Sequence, residues 1–187
     1  MKYNTNAIGN AFFQYPLSVC IAIYFICYAF RLWEYFVLKT DESVIGENFI
    51  HKACGVAVIF AVLFVSGLHW RDIGFVCDGR LKNIGFGLTL GFGFYTIAYA
   101  AECIVLYAQG ASPSLTIASG GFSLVNTTEF VSTGIAFILL FNVLNVWMEE
   151  GLFRGLFTRL LRERYEFKTV IFITALLFGL WHLVMPV

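Results

Sequence analysis

The chain has 187 residues, of which 59% are apolar, 18% aromatic and only 13% charged, and its mean hydropathy is +0.79. Ordinary soluble domains are about 45–50% apolar and about 25% charged, so these side chains could not cover a water-facing surface. Twelve basic and twelve acidic residues cancel to a formal net charge of zero, which leaves no basic field to draw in nucleic acid. The composition therefore reads as an all-α, polytopic transmembrane helical bundle, a single domain over residues 1–187 whose first partner is membrane lipid.

A spanning helix needs about 20 largely apolar residues. The first candidate, Leu17 to Leu38, is too long for the core of a signal peptide and is followed by no clear A-x-A site, so it should remain attached as a span. Arg31 and Glu34 lie three positions apart on it, a spacing that favours a pair on one helical face. The second span runs from Phe49 to Leu68, with His51 and His69 near its ends. The third, Ile84 to Ala108, carries Gly85, Gly87, Gly91 and Gly93, including a G-x-x-x-G spacing that lets two membrane helices approach closely. No strand-to-helix context accompanies these glycines, so a phosphate loop is not expected. Glu102 on the same span reads as interfacial.

The connection Gln109 to Thr128, rich in Ser, Gly and Thr and containing Pro113, reads as irregular. A fourth span follows, Gly134 to Met148, starting near Glu129 and running on past Glu149. The fifth is Val170 to Val187. The five cysteines, Cys20, Cys27, Cys54, Cys77 and Cys103, form no C-x-x-C pair and mostly sit inside apolar runs, where they are expected to pack as small hydrophobes.

Orientation follows from Lys and Arg, which are retained on the cytoplasmic side. Arg71, Arg80 and Lys82 follow span two, and Arg154, Arg159, Arg162, Arg164 and Lys168 follow span four; the segment Gln109 to Thr128 has no basic residue. The basic loops fall on one side after two crossings, which puts the N-terminus in the cytoplasm and the C-terminus near the outer face.

The segment W147-M-E-E-G-L-F-R-G-L-F157 sets two carboxylates and an arginine beside two glycines at the end of an apolar helix. Neighbouring helical residues are turned by about 100° from each other, so Glu149 and Glu150 take different directions. Glu150 and Arg154 stand at i and i+4 in the favourable order for an ion pair, which leaves Glu149 the more available carboxylate. The last span carries F178-G-L-W-H182, with one histidine deep in an apolar helix. A carboxylate and an imidazole brought to one site can polarise a water.

These two motifs resemble the E-E-x-x-x-R and F-x-x-x-H signatures of the CPBP family of intramembrane proteases, which includes CAAX prenyl proteases and bacterial relatives linked to bacteriocin processing and self-immunity. The resemblance is concentrated in residues 129–187. It implies hydrolysis of a peptide bond near the cytoplasmic face, on a peptide or protein substrate that includes prenylated ones, in a bacterial plasma membrane. It also implies roles: Glu149 activates the water, Glu150 and Arg154 brace the site, His182 shares the water or stabilises the oxyanion, and Phe178 lines the pocket. Glu149 and His182 are the candidate ligands if a divalent metal such as zinc takes part, and the residues leave open whether one does.

Peptide-cleaving relatives carry a third motif, H-x-x-x-N or H-x-x-x-D, on a further helix, whereas this sequence ends five residues after His182. About five spans are thus expected, without the C-terminal helices of the family fold. Truncation is the favoured explanation, because Met185-Pro186-Val187 supplies no flanking charge to a membrane helix. The alternative function is a non-catalytic immunity or scaffold protein of the same fold.

Overall fold

The computed structural model describes residues 7–40, 48–76, 78–111 and 132–183. Among these residues the structure is helical, with no strand. Cys77, most of the Gln109–Thr128 connection and the last four positions of the fifth expected span lie outside the described residues.

Helix α1 (Ala7–Gln14) leads into α2 (Pro16–Trp33), which starts on a proline at its first turn, where a missing N–H costs nothing. The helix widens into a π-helical turn, Glu34–Leu38, and stops where Lys39 turns left-handed at φ 50°. Helix α3 (Ile50–Ser66) ends on Gly67 at φ 71°, a left-handed cap that a side chain would strain. A 3-10 turn, Trp70–Ile73, follows, with the Asp72 carboxylate accepting the His69 N–H at 2.8 Å. Helix α4 covers Arg80–Ala108. Helix α5 (Ser132–Glu149) runs without a break into a π-helical segment, Glu150–Phe157, and then α6 (Thr158–Leu161), and α7 (Phe167–His182) follows.

Each of the five expected spans therefore falls on a helix. Among the described residues two stretches, Pro16–Leu38 and Leu81–Ala108, are long and apolar enough to cross a membrane, and Ile50–Ser66 and Phe167–His182 are shorter apolar helices. Large apolar side chains such as Phe36, Phe64 and Phe172 stand exposed on these elements, a surface that suits hydrocarbon and not water. The chain is a membrane protein.

The chain divides into two compact units, one made of Met1–Phe75 with Gly120–Val187, the other of Val76–Ser119. The second contains α4, and among the described residues no atom lies within 4 Å of where a methyl group on Gly87 or Gly91 would stand.

In the first unit, α2 packs on α3, α3 on α5, and the π-helical segment on α3 and α7. Cys20 and Cys27 are buried in this core beside Ile59, Met148, Leu152, Leu156 and Val170, as expected of packing cysteines. Trp181 is fully buried, with the rings of Tyr24, Tyr28 and Phe153 at 6.1, 5.9 and 5.9 Å. The two glycines of the charged segment explain how the π-helical turns sit so close to their neighbours. A methyl group at Gly155 would stand 2.7 Å from the Ile73 carbonyl oxygen, and one at Gly151 would stand 3.2 Å from Ile59.

Candidate active site

Burying a carboxylate requires hydrogen bonds in place of the water it loses. Glu34 is fully buried at the end of α2, and it finds them at the start of α3, where the first backbone N–H groups of a helix lack internal partners. Its oxygens accept the N–H of Phe49 at 2.9 Å, Ile50 at 2.8 Å and His51 at 2.6 Å. They also receive the Thr40 hydroxyl and the His51 Nδ1, both at 2.5 Å. Arg31, one turn earlier and also buried, donates from Nη1 to the Trp181 carbonyl oxygen at 2.6 Å, with its guanidinium 4.8 Å from the Trp181 ring. The expected Arg31–Glu34 pair is thus not formed. Each residue is instead taken by a helix end, Glu34 by the positive start of α3 and Arg31 by the negative end of α7.

Beside this framework lies a cavity of about 290 Å³. Arg31 and Tyr35 reach it from α2 and its π-helical turn, Asn48, His51 and Lys52 from the start of α3, Asn145 and Glu149 from α5, and His182 from α7. Glu149 and His182, distant in sequence, thus share one cavity. Glu149 is half-buried, and among the described residues its carboxylate has no ion-pair or hydrogen-bond partner. The His182 Nδ1 lies 2.9 Å from the Phe178 carbonyl oxygen. A carbonyl carries no proton, so Nδ1 is the donor and the neutral ring keeps its lone pair on Nε2. A carboxylate and an imidazole nitrogen in this state can both accept a proton from one water.

The other expected site residues lie elsewhere. Glu150 is exposed and forms the i, i+4 ion pair with Arg154 at 2.8 Å. The Arg154 guanidinium sits 4.5 Å from the centre of the Phe178 ring. Arg154 and Phe178 line a second cavity, of about 380 Å³, together with Phe153, Thr158, Phe167, Ile171 and Thr174. Phe178 connects the two cavities through its backbone, since its carbonyl holds His182 while its ring faces Arg154.

Among the described residues no group of three or more His, Cys, Asp or Glu side chains is arranged to hold a metal ion. Glu149 and His182 alone fall short of the three or so protein ligands of a catalytic metal site.

Residues 131–187 match the model of one protein family, described as type II CAAX prenyl endopeptidase Rce1-like. The match covers less than half of the chain. The resemblance to CPBP proteases read from the two motifs is borne out over that stretch, which contains Glu149, Glu150, Arg154, Phe178 and His182. No curated protein and no solved structure matches the chain. Arg31, Glu34 and His51 stand upstream of the Rce1-like segment. In the sequence these three read only as a local pair and a histidine near a span end. The signal available was the expense of putting four ionisable groups, Arg31, Glu34, His51 and Lys52, at two adjacent span ends.

Proposed function

We propose that this protein is an intramembrane endopeptidase of the CAAX prenyl protease type, hydrolysing a peptide bond with a glutamate-activated water. The observation that carries the reading is the shared cavity, in which an unpaired Glu149 and the Nε2 lone pair of His182 border one polar space. Glu149 takes the proton of the water, His182 holds the same water through Nε2, and the resulting hydroxide attacks the scissile carbonyl. Glu150 and Arg154 brace the π-helical segment from its outer side, and the Phe178 ring completes that brace. The apolar second cavity beside Phe178 offers room for a hydrophobic substrate group such as a prenyl chain. The residues form one transmembrane domain of five spans, with the N-terminus in the cytoplasm of a bacterial cell, and cleavage takes place near the cytoplasmic face.

The test is turnover of prenylated and unprenylated CAAX peptides by the purified chain in lipid nanodiscs. Cleavage of the prenylated peptide that disappears in Glu149→Gln is expected. Equal phenotype and binding by the wild type and Glu149→Gln, without cleavage by either, would sink the reading in favour of a binding protein.

A further inference from the structure

We infer that His51, oriented by the buried Glu34, is a second reactive imidazole of the Glu149 cavity and passes a proton to the amine released by cleavage. The inference rests on the endopeptidase reading above and concerns residues outside the Rce1-like segment.

Three observations carry it. First, the tautomer is fixed. The Glu34 carboxylate accepts from the His51 Nδ1 at 2.5 Å, so Nδ1 bears hydrogen and the exchangeable position of the ring is Nε2. Second, that position is available. Among the described residues nothing else hydrogen-bonds the ring, Nε2 is not one of the fully enclosed unpartnered atoms, and His51 lines the cavity while Glu34 does not. Third, the orienting carboxylate is itself immobilised by the backbone N–H groups of Phe49, Ile50 and His51 and by Thr40. A purely structural cap of α3 would need only those backbone bonds. The ring is held through Nδ1, and His51 lines the same cavity as Glu149 and His182. A buried carboxylate behind an imidazole holds the ring in one tautomer and one orientation, the arrangement that suits a proton carrier.

The step balances as follows. Glu149 removes one proton from water while the water oxygen bonds to the carbonyl carbon. That proton passes from Glu149 to Nε2 of the neutral His51 ring, and as the C–N bond of the tetrahedral intermediate breaks, Nε2 gives it to the departing nitrogen. Glu149 and His51 end as they began, and one water is consumed per bond cleaved.

The experiment uses the full chain in nanodiscs, a prenylated CAAX peptide as probe, and His51→Gly with and without millimolar imidazole. The expected result is a kcat lower by about 10²–10⁴-fold with little change in KM, restored in part by imidazole, which a lost packing contact would not give. Because His51→Gly removes a buried ring and can fail to fold, the wild type is also treated with diethyl pyrocarbonate and the modified histidines mapped by mass spectrometry. His51 should be modified, and more slowly in Glu34→Gln. Wild-type kcat in His51→Gly, a loss that imidazole does not repair in a folded variant, or a His51 left intact while the exposed His69 reacts would each overturn the inference. A wild type that cleaves nothing although its His51 reacts overturns the endopeptidase reading, and the proton-donor role with it, while leaving the second reactive imidazole standing.

Discussion

Glu149 and Glu150 are neighbours in the chain and have different surroundings. Glu150 faces outward and is tied to Arg154, with both side chains about half exposed (47% and 54%). Glu149, one residue earlier and at the last position of α5, turns into a polar cavity with His51 and His182 and has no partner among the described residues. The difference shows how a helix separates two identical side chains: rotation sends one to the cavity bordered by the end of α2, the start of α3 and the end of α7, and the other to the surface. A carboxylate with an ion-pair partner contributes to holding the segment, whereas one without is free to exchange a proton.

The comparison is sharpened most by Glu149→Gln. It should lower kcat by about 10²–10⁴-fold, the usual contribution of a general base, with no loss in thermal stability, because no partner is stranded. Initial rates and melting curves on the same preparation check both halves. Next in size is Glu34→Ala. Removing the carboxylate strands His51 and three backbone N–H groups in a buried place, and breaking such an arrangement costs about 3–5 kcal/mol. Denaturation in detergent should register that loss even in an assay blind to activity. A smaller effect is expected of Gly155→Ala, whose methyl would stand 2.7 Å from the Ile73 carbonyl oxygen. Overpacking of this kind costs about 1–3 kcal/mol, and a melting temperature equal to that of the wild type would mean that the π-helical segment can shift away from Ile73. Smallest is Arg154→Ala. An exposed pair contributes about 0–1 kcal/mol, so stability should hardly move, and a fall in turnover as large as that of Glu149→Gln would erase the distinction between the two carboxylates.

Much of the fold was legible beforehand, because the apolar runs are long and the bilayer sets their length. The five runs became helices, and Cys20 and Cys27 packed in the core. The ion pair of Glu150 with Arg154 follows from local spacing alone. What was misread shows the limit of local spacing. Arg31 and Glu34 satisfied the same kind of rule and did not pair, because each met the end of a different helix where unpaired backbone groups were the stronger partners. The π-helical widening at Glu34–Leu38 and at Glu150–Phe157 left no mark that hydrophobic periodicity could detect.

By itself, then, the sequence determined a membrane-embedded, all-helical chain and marked Glu149 and His182 through two motifs, since hydropathy and short spacings are properties of contiguous residues. The tertiary structure decided which polar groups share a space. Arg31, Tyr35, Asn48, His51 and Lys52 from the N-terminal half meet Asn145, Glu149 and His182 from the C-terminal half at one cavity. Such a meeting depends on how helix ends align in the packed bundle, where a buried charge goes to whichever backbone terminus can replace its water, and no local pattern encodes that alignment.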